Sequence, residues 1–160
     1  MFGKSLSEYV AFQKPVLILI AIVWLLRLGL SMAGVPVSGA KFVSVTGVVL
    51  LGALYYGWAV GQRGFGSFKQ LYGLNLIQGI VSQTLVALAI VLGIVTGQDN
   101  IYTIPEFYPP SAGNDPLGLP TDGKNFGHAI AHVVVAGAIA IPIVGWLMGS
   151  VVHLVTRKRA

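Results

Sequence analysis

"PVLILIAIVWLLRLGLSMAG", residues 15–34, is a twenty-residue apolar run broken by a single charge, Arg27. At 1.5 Å per residue such a run crosses a hydrocarbon core of about 30 Å as a helix. Backbone groups in lipid must pair within their own segment, which excludes an isolated strand. The arginine and the apolar runs that follow distinguish this segment from a cleaved signal sequence, so it reads as a retained span. Three further runs meet the same test: residues 42–60 ("FVSVTGVVLLGALYYGWAV"), 71–97 and 127–155.

The rest of the chain agrees. Of 160 residues, 55% are hydrophobic and only 9% charged, with a mean hydropathy of +0.80. A water-soluble domain carries about a quarter charged residues to wet its surface. The expectation is therefore an all-α integral membrane protein: a single membrane domain, residues 1–160, with four transmembrane helices in an up-down-up-down bundle. The net charge of +5 is no sign of nucleic acid, because most basic residues flank the apolar runs. With the N-terminus inside, Lys4, Lys14, Arg63, Lys69, Arg157, Lys158 and Arg159 face the cytoplasm and only Lys41 and Lys124 lie outside. That bias predicts both termini cytoplasmic, in a cell (inner) membrane.

Local signals refine the outline. "SLSE" (Ser5 to Glu8) and "SFKQ" (Ser67 to Gln70) have the spacing of capping boxes, a hydroxyl residue three before Glu or Gln. The first is expected to open a short interfacial helix within a cytoplasmic segment, residues 1–14, that ends before Pro15; the second opens span three. Residues 98–126 hold five prolines and several glycines, so they read as an extracytoplasmic loop without regular structure. That loop carries Asp99, Glu106, Asp115 and Asp122.

Absence of cysteine excludes disulfides, thiolate metal sites and thiol catalysis within this chain. No dinucleotide fingerprint, Ser–His–acid arrangement or paired intramembrane carboxylates can be assembled, so no enzymatic activity is expected. The polar residues inside the spans are the remaining candidates. Arg27 has no Asp or Glu within any span, and snorkelling or stacking on Trp24 is its ordinary fate. Asn75, Gln78 and Ser82 line one stripe of span three with Ala89 and Gly93, a pattern that lets helices pack closely and hydrogen-bond. Gln83 is expected at nearly the depth of Arg27.

"NFGHAIAHVV", residues 125–134, places His128 and His132 one helical turn apart on one face. His153 shares the face, but 21 positions separate it from His132, about 31 Å along a helix, so it belongs to the other surface. Two imidazoles at this spacing can ligate one metal ion and would draw further ligands from the acidic loop. A bis-histidine haem within one chain is excluded because no opposing helix carries histidine; histidine–methionine ligation through Met32 stays open.

The residues favour a non-enzymatic accessory, scaffold or assembly subunit of a membrane complex, with no obligatory cofactor. It would sit in the lipid bilayer and pack against other subunits or itself through Gly79, Gly93, Gly137, Gly145 and Gly149. The first alternative is a metal- or haem-binding redox or sensor subunit built on His128 and His132, holding a divalent metal or haem. The second is a small-molecule or lipid permease with a polar site near Arg27 and Gln83.

Overall fold

The computed structural model describes residues 1–40, 42–104 and 123–156. Its elements are α1 (Leu6–Met32), a one-turn α2 (Val37–Ala40), α3 (Val45–Gln62), α4 (Phe68–Thr96), α5 (Phe126–Ala131), a π-helical segment (His132–Ala140) and α6 (Ile141–Thr156). The last three are continuous and form the fourth span. Four helices long and apolar enough to cross a membrane alternate in direction and pack as a bundle. The start of α1, the end of α6 and the 63–67 turn therefore lie at one face, the terminal face; residues 33–40, 42–44, 97–104 and 123–125 lie at the other, the loop face.

Capping chemistry sets two of the helix starts. The Ser5 amide donates to Glu8 Oε2 at 2.7 Å, and the Glu8 amide donates to Ser5 Oγ at 3.2 Å. The Ser67 amide donates to Gln70 Oε1 at 2.8 Å. The break expected at Pro15 does not occur: α1 runs unbroken from Leu6 through Pro15. Proline removes one bond, to the carbonyl of Ala11. Both residues lie on the exposed side of α1, where no neighbouring helix has to accommodate the interruption.

The four helices are not equivalent. α4 touches every other span, whereas α1 and the fourth span both pack on the α3–α4 pair and do not touch each other. α4 buries far more of its surface than either outer helix. The outer helices present Ile18, Leu19, Ile22, Leu25 and Leu26 of α1, and Val135, Ile139, Ile143, Leu147 and Val151 of the fourth span, to their surroundings. In water such a girdle would be unstable; in a bilayer it is the solvated surface.

Glycine brings α3 and α4 close to the fourth span. A Cβ on Gly57 would run into the backbone of Gly149, and one on Gly79 into the carbonyl of Gly137. Gly145 accommodates the Asn75 amide, and Gly93 lies under Thr103 and Asn100. The five glycines expected to offer faces to partner subunits are thus used within the chain: Gly79, Gly137 and Gly145 between α4 and the fourth span, Gly149 against α3 and Leu71, and Gly93 under the connection after α4.

The fourth span departs from regular α geometry. Over nine residues its hydrogen bonds slip by one position, and the Ile141 amide bonds the Ala136 carbonyl. Pro142 follows directly and has no N–H for the α-type bond to Ala138, which removes one of the bonds that would favour the α register. π-helical stretches are rare, usually one turn long, and common at functional sites. This one begins at His132.

Candidate functional site

The loop-face end of the fourth span starts with a cap. Asn125 Oδ1 accepts from the His128 amide at 2.7 Å, which starts α5 and places His128 in its first turn. The His128 ring then turns back so that Nδ1 meets the Gly123 carbonyl at 2.8 Å. One turn later, Nδ1 of His132 meets Oε1 of Gln83, from the middle of α4, at 2.7 Å. The two Nε2 atoms face each other at 3.1 Å, with ring centroids 4.8 Å apart.

Hydrogen-bond accounting decides what these contacts mean. A carbonyl oxygen only accepts, so His128 Nδ1 carries its proton and, in the neutral ring, Nε2 is a bare lone pair. With Gln83 Oε1 facing it, His132 Nδ1 also carries its proton, and its Nε2 is bare as well. Two lone pairs at 3.1 Å repel unless a proton or a metal cation lies between them. Nitrogens bound to one metal at about 2.0–2.1 Å in tetrahedral geometry are about 3.3 Å apart, so the separation fits a shared metal ion with a shift of tenths of an ångström. Metal-ligating histidines characteristically donate their other N–H to a carbonyl or carboxylate, and both rings do so here.

The acceptors are held from α4. The Asn100 side chain donates to the Ala89 carbonyl at 2.8 Å and accepts from the Tyr102 amide at 3.0 Å, and Thr103 Oγ1 donates to the Asn100 carbonyl at 2.8 Å. Gly123 sits directly against the Thr103 carbonyl, where a Cβ would not fit. A chain of contacts thus runs from Ala89 through Asn100, Thr103 and Gly123 to the His128 ring. Gln83 is placed by the helix contact, its Cβ and Cγ lying over Gly137.

The other expected residues go elsewhere. Asn75 Nδ2 bonds the Leu71 carbonyl at 2.9 Å; Gln78 Nε2 bonds Val49 O at 3.0 Å and Asn75 Oδ1 at 3.2 Å; Ser82 Oγ bonds Gly79 O at 3.0 Å. These three are fully buried and act as packing groups. Arg27 is buried, with its guanidinium 5.3 Å from the centre of the Tyr102 ring. Gln83 is bonded to His132 from the fourth span, whereas Arg27 stacks on Tyr102 after α4. His153 is buried at the terminal face, with Nδ1 3.3 Å from the Gly57 carbonyl and its ring edge-on to Phe68.

Among the described residues, no third His, Cys, Asp or Glu joins the imidazole pair. Asp99 is paired with Lys124 at 3.1 Å. Glu106, Asp115 and Asp122 lie outside the described residues. Met32 is on α1, which does not touch the fourth span, so it is not brought to either histidine. Compared with known proteins, the chain matches no family model, no curated protein and no solved structure.

Sequence reasoning found the histidines and placed Gln83 near the depth of Arg27, but identified neither its bond to His132 nor the Gly123 carbonyl. The helix wheel places Gln83 beside the packing stripe of α4; which atom it meets depends on the antiparallel register of α4 against the fourth span. No pattern within either segment encodes that register.

Proposed function

We propose that this protein is a small, non-enzymatic membrane subunit that binds a first-row transition-metal ion through Nε2 of His128 and Nε2 of His132. One observation supports this reading above the others: the two Nε2 atoms converge at 3.1 Å while both Nδ1 atoms are turned onto oxygen acceptors. Imidazole pairs suit zinc, copper, iron and nickel, and a two-histidine set leaves coordination positions open for water or an exchangeable ligand. Such a centre serves a sensing, storage or hand-over role within a membrane complex.

The haem form of this idea has less support, because axial ligands must sit on opposite faces of the macrocycle and these nitrogens meet edge to edge. The permease reading is also weakened. Gly79 and Gly137 bring the two backbones into contact one turn from Gln83, where a polar passage between α4 and the fourth span would have to open.

The test is direct. Protein purified in detergent, stripped with chelator and titrated with zinc or copper is expected to take up one ion per chain. Uptake should be lost in His128→Ala and in His132→Ala with the helical content unchanged. Wild-type protein that takes up no stoichiometric metal would overturn the reading.

A further inference from the structure

We infer that Gln83 selects between an open and a closed state of the imidazole pair by which end of its amide it turns to His132. The inference builds on the metal-binding reading and adds a positioning residue on a different helix. His128 has no such choice: its Nδ1 faces a backbone carbonyl at 2.8 Å, so its proton stays on Nδ1 and its Nε2 stays bare. His132 Nδ1 instead faces a side-chain amide at 2.7 Å, which holds an acceptor and a donor on the same carbon.

With Oε1 turned to the ring, His132 keeps its proton on Nδ1. Both Nε2 lone pairs then converge, and the pair is ready for a cation. With the amide turned over, Nε2–H of Gln83 donates to His132 Nδ1, and the half-buried His132 ring gives up its Nδ1 proton to solvent and takes one from solvent at Nε2. There it is donated to the bare Nε2 of His128 across the same 3.1 Å. The pair is then neutral, satisfied and closed on itself. Neither ring has to move; one amide turns and one proton is exchanged.

The surroundings make this a property of the fold. Gln83 is 6% exposed, so water competes poorly for its amide. Its Cβ and Cγ lie over Gly137, and any larger residue there would push the amide away from the ring. The Gly79–Gly137 contact one turn away holds α4 and the π-helical segment at the distance that puts the amide within bonding range. Metal binding is favoured by the open orientation, and by linkage it must favour that orientation in return.

Three proteins test this: wild type, Gln83→Glu, whose carboxylate can only accept, and Gln83→Leu, which does neither. Zinc affinity is measured by competition with a chelating dye, and imidazole 15N shifts are recorded on histidine-labelled protein with and without zinc. Gln83→Glu is expected to bind zinc at least ~10-fold more tightly, and Gln83→Leu ~10–100-fold more weakly, the usual penalty for losing the group that orients a ligating histidine. Metal-free wild type should show His132 protonated on Nε2, moving to Nδ1 on zinc addition, while Gln83→Glu shows Nδ1–H before any zinc is added. Equal affinities and identical 15N shifts in all three would overturn the inference. Should wild type bind no zinc, the metal reading fails, and the metal-free shifts of wild type against Gln83→Glu still decide the role of Gln83.

Discussion

The Nε2 atoms of His128 and His132 stand 3.1 Å apart, while the Nδ1 atoms of the same rings are held by the Gly123 carbonyl and by Gln83 from two different parts of the chain. Each imidazole is oriented from behind, so the geometry of the pair does not depend on the two rings alone. The consequence is a sharp division among the three histidines. His128→Ala or His132→Ala should lower metal affinity by more than ~100-fold, since each removes one of the two imidazole donors. His153→Ala should leave it unchanged: that ring is at the terminal face, on Gly57. Metal content per chain after chelator treatment and reloading distinguishes these outcomes.

Asn125 holds the helix start that aims His128. Removing its side chain in Asn125→Ala takes the acceptor from the His128 amide and should cost about 1 kcal/mol of local stability. Metal affinity should fall several-fold without a change in stoichiometry. Asn125→Asp, which preserves the cap, should retain both. Hydrogen exchange at the first turn of α5, measured beside the affinity, separates fraying from a global loss of fold.

The glycine contacts predict a strong position dependence for one chemical change. Gly79→Ala drives a methyl group into the Gly137 carbonyl and should destabilise the bundle by ~1–3 kcal/mol, the usual cost of overpacking. Gly29→Ala meets nothing within 4 Å and should be neutral or slightly stabilising, by up to ~1 kcal/mol, because alanine is the better helix former. Unfolding in mixed detergent micelles reads both. Equal effects at the two positions would show that the α4 contact with the fourth span is not as close as described.

Tyr102, in the connection after α4, is pushed up to about 12 by burial, with the Arg27 guanidinium opposing part of that rise. The phenol is an acid whose folded value lies above its unfolded one. Its contribution to stability is therefore fully present below about pH 10 and is lost as pH rises from there toward 12. Tyr102→Phe should remove a late step from the tyrosinate absorbance titration. Arg27→Leu should move that step higher still and loosen residues 97–104, seen as faster hydrogen exchange there.

Much of this architecture was legible residue by residue. A span of twenty apolar residues has one stable solution in lipid, so the number of helices and their alternation follow from composition and length. The serine-led starts at Ser5 and Ser67 are local hydrogen-bonding devices, complete within four residues of chain. His128 and His132 share a face because helical periodicity places residues four apart one above the other. Pro15 shows the limit of local reasoning: a proline that would end a helix with a partner on that side is accommodated on an exposed one.

Which partner each polar group meets was decided only in three dimensions. Gln83 and His132 are 49 positions apart, and Gly123 approaches His128 only because Asn100 and Thr103 fold the connection back onto Ala89. The glycines that suggested outward faces turn inward, onto neighbouring helices and the connection after α4. Composition and periodicity determine what each segment must be in a bilayer, because burial and backbone pairing are properties of a segment by itself. The centre at the loop face depends on the relative register of two helices, which only their packing against each other sets.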